Sequence, residues 1–416
     1  MKFSHPISEN FHNYKKERYM NTGRSFSFLL WLLAVLSIFI FIFLSIPNPF
    51  TVTPQEHLTQ STTLSTKPEK DDEKCDLFVG NWIPDLNGSL YTNWSCSTIP
   101  NSKNCGKHGR KDVDFVNWRW KPDGCELPRF EPKTFLRIVQ GKTLAFIGDS
   151  IARNQMESLL CLLSQDETPT DMYKDAEDRF RTWYFPSQNF TLMVFWSKFL
   201  VAAEERVING SLSGIFDLHL DKVDEKWANK LPGVDYAIIS DVHWFFRENY
   251  YYEGGNLLGC AFCNEENVTD LGFRFALPRV FRTALKYIND CKECSRELTL
   301  LRTFSPAHFE NGEWNTGGNC KRTSPRTQGE GGTQWELGLG SIQIEEVERA
   351  RKEGHKRFGV LEVTRAMMMR PDGHPGLHWN NEEIGMKGFS DCVHWCLPGP
   401  IDAWNDLLQA VLKKEG

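Results

Sequence analysis

The sequence predicts an α/β protein in which a central parallel sheet is flanked by helices and preceded by a transmembrane helix. Three observations carry this. Short apolar runs alternate with helical stretches over the second half of the chain. One long uncharged segment lies near the N-terminus, and every cysteine follows it.

The elements follow in chain order. Residues 25–47, "SFSFLLWLLAVLSIFIFIFLSIP", carry no charge, and about 20 such residues cross a bilayer as a helix. Lys2, Lys15, Lys16, Arg18 and Arg24 precede the segment, and the next basic residue is Lys67. Positive charge stays on the cytosolic side. Residues 1–24 are therefore expected to form a cytosolic tail, and 25–47 an uncleaved signal anchor of a single-pass type II protein. Residues 48–74, rich in Thr, Ser and Pro and then charged, read as a flexible stem. The remainder, 75–416, is expected to be luminal. Five Asn-x-Ser/Thr acceptors, at Asn87, Asn93, Asn189, Asn209 and Asn267, all fall there. The net charge of −6 offers nothing to a nucleic acid.

The 12 cysteines begin at Cys75. In an oxidising lumen an even set reads as disulfides. Cys260-x-x-Cys263 and Cys291-x-x-Cys294 also admit zinc, but their separation exceeds that of ordinary zinc ribbons. Residues 75–135 are rich in Trp, Asn, Gly and Cys, with little periodicity, and read as a disulfide-stapled cap on the α/β part at 136–416.

Within that part, 143–147, 234–240, 297–305 and 358–364 read as buried strands. Helices are expected over 277–290 and 341–354, and again at the C-terminus, where Trp404, Leu407, Leu408, Val411 and Leu412 share a face. In "GKTLAFIGDSIARNQMESLLCLL" (141–163) the first strand ends at Gly148-Asp149-Ser150. A helix pattern starts at once, with Met156, Leu159, Leu160 and Leu163 at i, i+3, i+4, i+7.

Ser150 thus sits at the carboxyl end of a strand and the start of a helix, where such folds place their sites and where free N–H groups favour negative charge. A serine hydroxyl needs a base. "DCVHWCLPGP" supplies Asp391 and His394 at i, i+3, together on one helical turn, with Cys392 and Cys396 to rigidify it. The oxyanion would meet the Ser150 N–H and, one turn along, Arg153. The plain reading of Gly-Asp-Ser is also open: Asp149 and Ser150 are ordinary helix caps. His374 and His378 have zinc-helix spacing, but Pro375 and Gly376 break the helix, and no metal site is expected. His243, Trp244 and His374 are candidates for substrate binding. His308 and the aromatic rings of Trp314, Trp379 and Trp395 lie in comparable segments; any of these has a core role as its simpler alternative.

"GDSIARNQMESLLCLL", "DGHPG" and "DCVHWCLPGPIDAWNDLL", with "CDLFVGNWIPD", "SDVHWFF" and "RTFSPAHFENGEWNTGGNC", closely resemble the plant trichome birefringence-like proteins. These are Golgi polysaccharide O-acetyltransferases related to the SGNH/GDSL esterases. The resemblance spans about 75–416. Its "MMMRPDGHPGLHW" and "HWCLPGPIDAWNDLL" segments look most like the altered-xyloglucan branch, which acetylates galactose on xyloglucan side chains. The resemblance implies a Ser150–His394–Asp391 triad and four disulfides: Cys75–Cys125, Cys96–Cys161, Cys105–Cys396 and Cys320–Cys392. The two CxxC units would then pair with each other. It further implies a hemicellulose acceptor, a Golgi membrane location and no bound cofactor. The acetyl donor is unassigned, acetyl coenzyme A or another acetylated intermediate. One departure stands out: 240–243 reads Ser-Asp-Val-His, without the Asn that SGNH hydrolases use as an oxyanion donor. The rival functions are acetylation of xylan or mannan, an acetylesterase built on the same triad, and a non-catalytic wall-glycan binder.

Overall fold

The computed structural model describes residues 75–294, 297–327 and 333–415. The anchor, tail and stem expected at 1–74 lie outside the described residues. Among the described residues no helix is long and apolar enough to cross a membrane.

In chain order the elements are β1 (Gly80–Pro84), β2 (Trp118–Pro122), α1 (Pro132–Ile138), β3 (Thr143–Gly148), α2 (Ser150–Leu163), β4 (Thr170–Lys174), β5 (Phe180–Phe185), β6 (Phe190–Trp196), β7 (Val201–Ile208), β8 (Ser211–Val223), α3 (Glu225–Ala228), β9 (Tyr236–Ser240), β10 (Asn249–Glu253), β11 (Asn256–Ala261), α4 (Phe273–Asp290), β12 (Leu298–Arg302), α5 (Gln334–Glu353), β13 (Phe358–Leu361), α6 (Thr364–Met368) and α7 (Asp402–Glu415). The central sheet has the order β13-β12-β9-β3-β6-β5-β4. The strands from β13 to β6 are parallel; β5 and β4 add an antiparallel edge. The α/β reading therefore holds, with a mixed rather than wholly parallel sheet.

Side-chain alternation along β3 builds two cores. Leu144 and Phe146 pack with Met156, Leu159, Leu160 and Leu163 of α2 and Leu407 and Leu408 of α7. Ala145 and Ile147 face the other way, among Leu277, Val280, Phe281 and Leu285 of α4 and Val347 of α5. All are essentially inaccessible; burying each large side chain contributes about 1.5–3 kcal/mol. From β3 the chain reaches β6 on one side and β9 on the other. β3 is thus the switch point of the sheet, the place outside whose carboxyl end folds of this kind bind their ligands.

Residues 75–135 pack directly against the α/β part. The antiparallel β1–β2 pair aligns Trp82 with Trp120. Both rings belong to the same core as α2 and α7, and the Trp82 indole N–H donates to the Ala366 carbonyl at 2.7 Å. The expected helices exist but start earlier. α5 begins at Gln334 because Thr333 and Glu336 form a reciprocal capping box. The largest unexpected feature is a second sheet, β11-β10-β8-β7. Its strands carry Glu204, Glu205, Asp217 and His219 between apolar residues, so no continuous apolar run marks them.

All 12 cysteines are bridged. Cys75–Cys125, Cys96–Cys161, Cys105–Cys396 and Cys320–Cys392 pair as the resemblance implied. The two CxxC units do not pair with each other: Cys260 bonds Cys263 and Cys291 bonds Cys294. The reason is distance. Cys260 is hydrogen-bonded to Thr269 and Leu271, just before α4. Cys291 caps the other end of that 18-residue helix, roughly 27 Å away, whereas bridged Cα atoms must lie within about 7 Å.

Candidate active site

Gly148 ends β3 with φ +142°, and a Cβ there would lie 1.7 Å from the Ser240 carbonyl oxygen of β9. Only glycine lets the two strands meet and the chain turn into α2. Asp149 caps that helix, its carboxylate accepting from Ile151 N–H at 2.9 Å and Ala152 N–H at 3.4 Å. The capping reading is thus correct for Asp149, and it leaves Ser150 as the first helical residue, half-buried at the rim. The amides that open a helix have no acceptor within it.

The Ser150 hydroxyl donates to His394 Nε2 at 2.8 Å, and His394 Nδ1–H donates to Asp391 Oδ2 at 2.8 Å. Asp391 and His394 are not on a helical turn. Asp391 forms a two-way bridge with Gly376. Its Oδ1 accepts from the N–H groups of Val393 (3.1 Å) and His394 (3.0 Å). This side-chain turn brings i and i+3 together as a helix would. Burial pushes the Asp391 carboxyl up, but the charge and hydrogen bonds of His394 outweigh it and hold it well below the usual carboxylate range. The carboxylate is therefore ionised, fixes the imidazole tautomer, and can balance an imidazolium.

Further contacts fix the two halves against each other. Asn154, one turn beyond Ser150, makes a reciprocal pair with Trp395: its Nδ2 donates to the Trp395 carbonyl (3.3 Å), and the Trp395 N–H donates to its Oδ1 (2.8 Å). Cys392 and Cys396 tie the loop to Cys320 and Cys105. Arg110 donates to the carbonyls of His374 (2.9 Å) and Asp372 (2.5 Å).

His374 does not line the site. It is buried, stacked on Trp395 at 4.1 Å, with Nδ1 against the His394 carbonyl at 2.7 Å and Nε2 against His308 Nδ1 at 2.7 Å. His308 Nε2 faces the Met368 carbonyl at 3.3 Å. Three such bonds need three protons, and two neutral imidazoles carry two. Burial pushes His374 down to about 4 and His308 well below its ordinary value, so the pair is neutral at neutral pH. The two short bonds hold the protons, and the long contact to Met368 goes without one. His374 thus props the backbone of the base from behind.

The Arg153 guanidinium is held by Glu157 at 2.9 Å and by the carboxylate (3.1 Å) and carbonyl of Asp178. These contacts use three of its five N–H groups, and the Ser150 N–H at the open end of α2 is the other oxyanion donor the sequence named. His243 does border the site, with Nδ1 3.7 Å from Asp149 Oδ2, while its buried Nε2 has no hydrogen-bond partner among the described residues. Beneath it, burial and the neighbouring charge of Asp149 push the Asp241 carboxyl well up, whereas His243 and Arg302 hold Asp149 at about 2 against its own burial. The pair carries one charge, next to the nucleophile. Trp395 is fully buried and serves packing, while Trp314 is exposed. Trp244 is half-buried, with Arg247 and Lys198 over its ring at 4.1 and 4.6 Å. The spacing of Asn154 from Ser150, i+4 on one helix, was the signal available for its role. His308 was among the candidates the sequence offered; nothing local announced Arg247.

Residues 127–411 match the family described as a GDSL/SGNH-like acyl-esterase family found in Pmr5 and Cas1p. Residues 73–126 match the PMR5 N-terminal domain. The chain is 59% identical to xyloglucan O-acetyltransferase 4 of Populus trichocarpa over 406 residues, 96% of this chain and 95% of that one. It is 51% identical to xyloglucan O-acetyltransferase 2 of Arabidopsis thaliana over the full length of both. Protein trichome birefringence-like 19 of Arabidopsis thaliana is 45% identical over 82% of each chain. With a serine, a histidine and an aspartate joined in line at the end of β3, and a family match over most of its length, the chain belongs to the GDSL/SGNH-like acyl-esterase family found in Pmr5 and Cas1p.

Proposed function

We propose that this chain is an O-acetyltransferase acting on a plant cell-wall polysaccharide, with galactose side chains of xyloglucan as acceptor. The carrying observation is the unbroken Asp391–His394–Ser150 hydrogen-bonded chain at the switch point of the sheet. The names of the similar proteins supply the substrate class. The reaction is a double displacement. Ser150 Oγ attacks the acetyl carbonyl as its proton passes to His394 Nε2. The bond to the leaving group breaks, and the imidazolium returns the proton to it. A sugar hydroxyl then gives its proton to His394 and takes the acetyl group, and Ser150 recovers its hydrogen. The Ser150 N–H, at the start of α2, supports each oxyanion.

The anchor at 25–47 would hold this domain in the Golgi lumen on a 48–74 stem. Asn87, Asn189, Asn209 and Asn267 are exposed and Asn93 half-buried, which suits glycan attachment. The six disulfides suit an oxidising compartment.

The test is mass spectrometry of xyloglucan oligosaccharides incubated with the chain and an activated acetyl donor. Gain of one acetyl on galactose-bearing fragments alone is expected, and Ser150→Ala should lower it by roughly 10⁴-fold or more with the fold unchanged by circular dichroism. Net acetate release without any gain on the sugar would assign a hydrolase instead. Undiminished transfer by Ser150→Ala would remove the covalent route.

A further inference from the structure

Beside the carboxyl ends of β3 and β6 the structure gathers cations over tryptophan rings. Trp196 ends β6, in register with Gly148, and the Ser197 N–H donates to the Gly148 carbonyl at 2.8 Å. Trp244 follows His243, which touches Asp149, and meets Trp196 edge to face at 5.8 Å. Both rings therefore lie on the edge of the sheet that carries the nucleophile. The Arg247 guanidinium lies 4.1 Å from the Trp244 ring centre. Lys198 Nζ lies 4.6 Å from Trp244 and 4.4 Å from Phe216.

The charges do not balance. Lys198 has Glu205 at 3.3 Å. Arg247 has no ion pair among the described residues, and its Nε is buried without a hydrogen-bond partner. The carboxylate that bears on Arg247 is Glu205, already engaged by Lys198. Burial disfavours the charge on both cations. A desolvated cation without a partner is costly and is stabilised by an anion placed against it. Cations lie over both tryptophans, Arg247 and Lys198 over Trp244 and Arg179 over Trp196 at 5.0 Å, and a neutral glycan has no charge to offer them.

We propose that Arg247 and Lys198 form an anion subsite for the acetyl donor, holding a phosphate or pyrophosphate group while its acetyl carbon reaches Ser150. The inference rests on the acetyltransferase reading above and adds the chemical class of the donor. Aromatic floors beneath guanidinium and ammonium groups fix these otherwise flexible side chains, so the subsite is prearranged.

The test uses the full-length chain with two donors: acetyl coenzyme A, which carries phosphates, and p-nitrophenyl acetate, which carries none. In Arg247→Gln and Lys198→Gln the ratio of kcat/KM for acetyl coenzyme A to that for p-nitrophenyl acetate should fall roughly tenfold, the size of one lost hydrogen bond to a charged group. Arg247→Lys should restore most of it. Inorganic pyrophosphate should compete with acetyl coenzyme A in the wild type and lose potency in the Gln variants. An unchanged ratio overturns the proposal, as does a rise in KM for the glycan in place of the donor. Absence of any Ser150-dependent turnover with either donor in the wild type would instead defeat the catalytic reading. Pyrophosphate titration of the wild type and Arg247→Gln, read by calorimetry, would then still decide the subsite by itself.

Discussion

The two sides of Ser150 are built on opposite plans. Toward His394, the polar groups of the base are satisfied in series: serine to imidazole, imidazole to carboxylate, carboxylate to two backbone amides, with a second histidine behind the carbonyl. Toward Trp244, buried polar atoms of His243, Asp241 and Arg247 have no hydrogen-bond partner among the described residues. The first arrangement fixes geometry before any substrate arrives, as catalysis requires. The second leaves polar groups free to meet a ligand. The difference teaches where to look for chemistry and where for recognition.

That contrast can be broken first on the satisfied side. Asp391→Asn keeps an oxygen for the Val393 and His394 amides but not the negative charge, so the loop stays folded while the imidazole loses its tautomer control. Transfer should drop by roughly 10⁴-fold in kcat with little change in KM for the glycan, measured in steady state. A loss confined to KM would place Asp391 outside the chemistry.

Disulfides on the two sides differ as well. Cys105–Cys396 beside the base closes a span of 291 residues, whereas Cys260–Cys263 in the second sheet closes 3. Denaturant unfolding of the paired Ala variants should show a loss of roughly 5 kcal/mol for the first and about 2 kcal/mol for the second. Equal losses would mean that the unfolded chain is not what these bonds restrain.

The histidine prop gives the smallest and most specific effect. His374 is held near 4 when folded, against an ordinary 6.5. The unfolded chain therefore takes up the proton first. Stability is full above 6.5 and is lost as pH falls toward 4, by about 2 kcal/mol between pH 7 and pH 5. His374→Asn keeps a donor for the His394 carbonyl but does not titrate. Its unfolding free energy should vary less with pH over that window, and an unaltered slope would show that the ring is already charged in the native state.

Much of this was legible from residue pattern. Buried parallel strands read as apolar runs because both faces are covered, and that exposed β3, which precedes Ser150, its neighbours β9 and β12, and β13 at the edge, but not β6 on the other side of β3. The spacing of Asp391 and His394 was also sufficient, although a side-chain turn and not a helix brings them together. The second sheet was not legible, since one-sided burial leaves alternating charges such as Glu204 and Asp217 in place of a run. The CxxC pairing failed although the helix expected over 277–290 lies between the two units: its 18 residues hold them too far apart to bridge. His374 was misjudged because both its ring nitrogens are spent on His308 and the His394 carbonyl, partners that only the folded chain reveals.

The bond between Cys105 and Cys396 also sets an order of events in the life of the molecule. The hydroxyl that reacts is synthesised 244 residues before the imidazole that activates it, and the imidazole is fixed only once one of the last cysteines to leave the ribosome has found one of the first. A nascent chain is therefore inert toward acetyl donors. Competence arrives in a single late step, under the control of whatever oxidises thiols where the protein matures.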